Sequence, residues 1–297
     1  MRPDTWTVNQ HWNRGAETMS KKRIAIIGAG GKMGYRVSAN LKNAPYEVSH
    51  VEVSEAGRER LKKDLGIGCV DADTALRDAD IVLLTIPDNM IEKVTKQLVD
   101  KFKKGATLVA LDAAAPFAGH LPDREDLTIF VAHPCHPPIF NDETDLEAKR
   151  DYFGGIKAKQ SIVCALLRGD EKNYAVAEDV AKRMYAPVVR SHRATVDQMA
   201  ILEPVLSETV CATCLTIIRE ATDEAVRRGV PEEAARDFIL GHLNVELAIL
   251  FDQLPGVRMS DAANKAVERA KKEIFVADWK KVFEREAIAE NIRMITS

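Results

Sequence analysis

From Arg23 onward, short apolar runs alternate with stretches whose apolar positions recur every three or four residues. The first pattern fits strands covered on both faces and the second fits amphipathic helices, so the alternation predicts a parallel sheet wound with helices. Ile24–Ile27 reads as a buried strand, followed by a glycine turn and a helix over Lys32–Lys42. Glu47–Val53 predicts a second strand and Glu55–Leu65 a second helix. Ile81–Ile86 is the clearest central strand, stopped by Pro87-Asp88-Asn89, and further strands are expected at Thr107–Leu111, Thr128–Ala132, Ser161–Leu166 and Val188–Ser191.

After His192 the pattern turns helical. One long helical stretch is expected over Val196–Arg228, closed by Gly229, with Pro231 at a first-turn position restarting a helix through Phe251. Shorter helices follow Ser260 and Asp278. The fold class is therefore α/β: a Rossmann-type, doubly wound, mainly parallel sheet over 21–192, then an all-helical domain over 193–297. Residues 1–20 have no apolar run and are expected to be a disordered extension, with Met19-Ser20-Lys21-Lys22-Arg23 resembling a natural start.

Composition narrows the classes. With 46% apolar and 29% charged residues, the chain can bury a full core, and disorder over most of its length is excluded. Lys and Arg number 42 against 45 Asp and Glu, a net charge of −3, so no basic excess proposes nucleic acid. The apolar stretches at Ile81–Ile86 and Ile239–Phe251 are short or broken by His242, Asn244 and Glu246, so no membrane span is expected. Five cysteines without a disulfide framework suggest a reducing, cytoplasmic setting. The apolar helical half suggests a homodimer formed through its helices.

Gly28-Ala29-Gly30-Gly31-Lys32-Met33-Gly34 lies between the first strand and a helix, where backbone N–H groups can approach a pyrophosphate. Its spacing departs from plain G-x-G-x-x-G, and it is the strand before and the helix after that give it weight. Glu52, at the end of the second strand, can accept from the ribose hydroxyls and repel a 2′-phosphate, which favours NAD over NADP. Pro87, at the end of the central strand, completes the expected cofactor set, and His50 is read as structural.

The densest polar cluster is His133-Pro134-Cys135-His136-Pro137-Pro138, following a strand. His133 would emerge at the ligand crevice, where an imidazole can take a hydroxyl proton as hydride leaves for a nicotinamide. Cys135 and His136 carry atoms suited to a borderline metal. In the helical half, Glu203-Pro204 sits in an apolar segment, so Glu203 is expected to be partly buried and in need of a partner or a metal. His242 and Glu246 stand one helical turn apart and read as a polar stripe, while Cys211 and Cys214 read as core.

At these residues the chain resembles the 6-phosphogluconate dehydrogenase-like superfamily of NAD(P)-dependent hydroxyacid dehydrogenases. His133-Pro134 resembles the His-Pro of prephenate dehydrogenases, which the resemblance puts after the sixth strand and makes the catalytic base. The Lys and Asn of the superfamily's sugar-acid dehydrogenases find no counterpart. Gly28–Gly34, Val51–Gly57, His133–Glu143 and Ala200–Pro204 are closer to the D-apionate oxidoisomerase family, a likeness that runs over nearly the whole chain from about Lys21. It implies NAD-dependent oxidation of the 2-hydroxyl of a branched sugar acid coupled to rearrangement to 3-oxo-isoapionate, in the manner of ketol-acid reductoisomerases. The rearrangement gives a reason for a divalent metal, zinc by the imidazole-rich donors, held between the domains by His136 and Glu203. The alternatives are a simple 3-hydroxyacid or prephenate-type dehydrogenase, or an NAD-sensing regulator without chemistry.

Overall fold

The apolar runs pair into a seven-stranded sheet of order β2-β1-β3-β4-β5-β6-β7 in a computed structural model that describes residues 21–296. The extension expected over residues 1–20 lies outside the described residues. The strands are β1 (Arg23–Ile27), β2 (Glu47–Val51), β3 (Ile81–Leu84), β4 (Thr107–Ala110), β5 (Thr128–Pro134), β6 (Gln160–Arg168) and β7 (Val188–Arg193). Neighbours from β2 to β5 run parallel, β5 and β6 pair antiparallel, and β6 and β7 are again parallel. The sheet is thus mainly parallel, as its apolar runs predict.

Successive strand residues face opposite sides, and each side has its own core. Ile24 and Ile26 join Phe130, Val37 and Leu41 of α1 (Lys32–Leu41), and Val180 and Met184 of a second helix, Lys172–Met184. Ala25 and Ile27 join Leu76 and Ile91 on the other face, from helices Ala72–Leu76 and Asp88–Leu98. The strand order reverses direction between β1 and β3, and in open sheets ligands bind outside the carboxyl ends at that point.

The chain divides into two compact units, one ending at Val196 and one beginning at Asp197. Three expectations are corrected. His133 is the penultimate residue of β5, the fifth strand, because its ladder with Val163 of β6 extends the strand to Pro134. The helix Val196–Arg227, 32 residues long, does reach the length and apolarity of a membrane span, with only 11% of its most apolar window buried. Pro204 does not break it, because residues Ile201–Ala212 widen into a π-helical stretch where the i→i−4 ladder that a proline would interrupt is replaced. The Pro204 carbonyl is then met by the Thr209 hydroxyl at 2.6 Å and the Asn291 amide at 3.0 Å. Finally, Cys211 is exposed and Cys214 only partly buried rather than in a core, because the helix is exposed over residues 211–213. The unit continues with helices Glu232–Leu250, Asp261–Ile274 and Arg285–Thr296.

His50 is 6% exposed on β2, and burial pushes its imidazole down to about 4. A base depressed below its unfolded value of 6.5 draws protons preferentially to the unfolded chain as pH falls from 6.5 toward 4, so stability is lost in that window. The loss attributable to His50 should approach about 3 kcal/mol at pH 4. Urea unfolding of the parent and a His50→Leu variant across pH 4–7 checks this: the variant should lose less stability on acidification.

Candidate active site

The carboxyl edge of the sheet collects the sequence-selected residues of the first unit. Gly28 adopts φ +82°, and a Cβ there would lie 2.6 Å from Ile86 Cγ2. Gly34, in the first turn of α1, lets the helix close on the strand: a Cβ would stand 2.1 Å from the Gly28 carbonyl oxygen. The turn is pinned by Gly28 and Ala29 N–H groups donating to Val51 O at 2.9 and 3.0 Å. Gly31 caps α1 without a side chain, so the helix's first N–H groups, from Lys32 to Gly34, have neither an intrahelical nor a capping partner to compete with an anion.

Glu52 is 7% exposed, and its carboxylate is built into the turn rather than left at a solvent-facing strand end. Oε2 accepts from Gly30 N–H at 2.7 Å and Oε1 from Ser54 N–H at 2.8 Å. Each oxygen keeps a further lone pair, so the group can still accept from a ribose hydroxyl. Arg60 donates to the Gly30 and Gly31 carbonyls at 2.7 and 3.0 Å, so two of the turn's acceptors are already engaged. Pro87 is exposed and begins the helix Asp88–Leu98 at the end of β3.

His133 Nδ1–H donates to the Leu111 carbonyl at 2.8 Å, which fixes the tautomer that carries its lone pair on Nε2. Burial holds this imidazole below its usual value of 6.5, against the pull of the Asp112 carboxylate and the Leu111 carbonyl, so the ring is neutral at neutral pH. Asp112 Oδ2 lies 3.7 Å from Nδ1, an electrostatic contact rather than a hydrogen bond. Its Oδ1 accepts from Ala114 N–H at 2.6 Å, which fixes the carboxylate. Sequence reasoning missed Asp112. The signal was the parallel register, because Ala110 pairs with Val131 and two residues further on Asp112 falls level with His133.

His136 stands in the loop after β5 with φ +61°, a left-handed backbone that a side chain of this size rarely adopts. Its Nδ1–H donates to Phe153 O at 2.8 Å, leaving the lone pair on Nε2, and its ring lies 6.1 Å from that of His133. Cys135 is exposed, with its N–H on Ser161 O at 2.9 Å. In the second unit, Glu203 is half-buried in the π-helical stretch. His242 is stacked on Phe238 with ring centroids 4.0 Å apart and donates to that residue's carbonyl, so it is not joined to Glu246.

The chain is similar to known proteins over most of its length. A family model described as phosphogluconate dehydrogenase (decarboxylating) C-term matches residues 141–296, and one described as acetohydroxy acid isomeroreductase, NADPH-binding domain, matches residues 18–137. The chain is 59% identical to a D-apionate oxidoisomerase of Cupriavidus necator, over 93% of this chain and 100% of that protein. Identity is also 59% with a D-apionate oxidoisomerase of Rhizobium rhizogenes, over 92% of this chain and 99% of that one. A crystal structure of a semialdehyde dehydrogenase NAD-binding protein from Cupriavidus necator, in complex with calcium and NAD, superimposes with a TM-score of 0.91 at 59% identity, covering 93% of this chain and all of that one.

The close approach at Gly34 generates a direct test. Gly34→Ala forces the Gly28 carbonyl or α1 to move, which should cost about 1–3 kcal/mol of stability and weaken NADH binding. Thermal unfolding and fluorescence titration with NADH measure the two effects, and both should appear in the same variant.

Proposed function

The chain belongs to the D-apionate oxidoisomerase family, and from that membership we propose that it oxidises the 2-hydroxyl of D-apionate with NAD and then rearranges the resulting ketone. The observation that carries the reading is His133: a neutral, tautomer-fixed imidazole at the carboxyl edge, on the strand end beside the glycine turn's crevice. A bound nicotinamide dinucleotide supplies the hydride acceptor. The turn Gly28–Gly34 would hold its pyrophosphate through the N-terminal N–H groups of α1, and Glu52 its adenine-side ribose. These residues fit the group, since Gly28 and Gly34 let α1 close onto the strand and Gly31 leaves the first N–H groups of that helix without a side-chain cap.

His133 Nε2 takes the proton of the 2-hydroxyl as the C2–H bond breaks and its electron pair leaves as hydride. Leu111 O and Asp112 favour the imidazolium that forms. Migration of a substituent from C3 to C2 then turns the new ketone into an alkoxide while the 3-hydroxyl becomes a carbonyl by releasing its proton to solvent, the one proton set free per NAD reduced. The imidazolium is positioned to return its proton to the oxygen at C2. Charge develops on two adjacent oxygens in that step, and a divalent cation belongs to the same reading, with His136 and Glu203 as its proposed donors. The Nε2 lone pair of His136 suits such a role, and calcium accompanies NAD in the Cupriavidus necator relative.

We also read the enzyme as a homodimer joined through the helical unit. Phe238, Leu250 and Met294 are 68%, 63% and 69% exposed in the single chain, apolar side chains that a second copy would cover.

The decisive experiment incubates the enzyme with D-apionate and NAD, with and without a chelator, and follows the product by NMR. NADH formation with a rearranged ketone supports the reading, whereas an unrearranged 2-oxo acid makes the protein a simple dehydrogenase. His133→Asn should lower kcat by roughly 10²–10⁴ with NADH binding retained. Because the neutral ring is the active form and burial lowers its pKa, the acid limb of the parent's kcat profile should fall below pH 6.5. Glu52 predicts cofactor choice: kcat/KM should be clearly higher with NAD than with NADP, and Glu52→Ala should narrow the gap chiefly through KM.

A further inference from the structure

Lys32 and Arg36 stand one helical turn apart on α1, and both reach the same aromatic ring. Lys32 Nζ lies 4.1 Å and Arg36 Cζ 4.7 Å from the Phe153 centroid. Among the described residues neither pairs with a carboxylate, and the polar contact of Arg36 is Met33 Sδ at 3.8 Å. Two like charges a turn apart repel, and a ring face attracts each without neutralising either. Such a pair is stabilised by an anion.

Phe153 is not a casual surface residue. Its loop is built by Asp151, whose Oδ2 accepts from the N–H groups of Ile156, Lys157 and Ala158 at 3.0, 2.9 and 3.2 Å. Asn40 of α1 ties the same loop to the cation-bearing helix by donating to Gly155 O at 3.0 Å. The Phe153 ring is nevertheless 47% exposed, and it meets the His136 ring edge-on at 6.0 Å while its carbonyl holds His136 Nδ1. The ring therefore touches both the cation pair and His136, whose own ring lies 6.1 Å from that of His133. The backbone N–H groups at the N-terminus of α1 would serve a pyrophosphate without these side chains, and Arg36 lies a full turn beyond them.

We propose that Lys32 and Arg36, seated on Phe153, form the subsite for the carboxylate of the hydroxy-acid substrate. Arg36 offers a planar fork and Lys32 a point charge, a combination suited to one carboxylate. Phe153 is a positioning residue for both. The inference rests on the hydroxy-acid reading and names how that acid is oriented: its carboxylate held by α1, its neighbouring hydroxyl turned toward His133.

The test is calorimetric titration of the enzyme–NADH complex, which needs no turnover, using D-apionate, its neutral amide and a panel of small hydroxy acids. Arg36→Gln should weaken binding of the acid by roughly tenfold or more, leave the amide unchanged and leave NADH affinity within about threefold. Phe153→Leu should act in the same direction by a smaller factor, and its NADH affinity and melting temperature report that it is folded. Unchanged affinity for the acid overturns the subsite. Equal losses for acid and amide overturn it too, since charge would then not be what is read. A parallel loss of NADH affinity would assign the pair to the cofactor pyrophosphate instead. If the parent binds another acid of the panel but not D-apionate, the substrate reading fails while the subsite is decided on the acid that binds. Binding of NADH with none of the acids overturns both.

Discussion

The parallel ladder from β2 to β5 brings the carboxyl ends of neighbouring strands to one edge, and every candidate group of the first unit depends on it. Glu52 follows β2, Gly28 follows β1, Pro87 lies beyond β3, Asp112 beyond β4, and His133 is the penultimate residue of β5. These residues are far apart in the chain. Evenly spaced parallel hydrogen bonds convert their sequence distances into one shared level, with no need for direct bonds among them. A slip of one residue in any pair would send each side chain into the core of the opposite face, where it does not fit, so the same packing that stabilises the sheet also fixes the level of the chemistry.

Around that edge, polar backbone groups are fixed by single side chains. Glu52 holds two N–H groups of the turn and its flank, Arg60 takes two carbonyls, and Asp151 gathers three N–H groups of the loop that presents Phe153. Each substitutes for secondary structure where the chain cannot form any, which is how an irregular edge stays ordered enough to orient a ligand.

Most of this was legible in the sequence because it rests on period and punctuation. The apolar runs gave the strands, and the glycine turn declared itself by its place between a strand and a helix. His133 stood out through its prolines. Asp112 did not, because nothing local distinguishes it from a helix-capping aspartate and its value comes from the neighbouring strand's register. Arg36 and Phe153 were equally silent, being an ordinary helix cation and an ordinary loop aromatic until the chain folds them together. The long helix through Pro204 was legible from its period, but not the means of keeping it, a π-helical stretch and a distant asparagine that satisfy the backbone around the proline.

The antiparallel pairing of β5 with β6 has a consequence of its own. A parallel successor would have required a crossover to the opposite end of the sheet. An antiparallel one lets the chain leave β5 and re-enter β6 at the same end, so residues 135–159 form a single excursion above the crevice. That excursion carries His136 and Phe153 but contributes no strand to the ladder. Its length and composition can change without disturbing the register beneath it. It is the natural place for descendants of this scaffold to diverge in what they bind while keeping the cofactor turn intact.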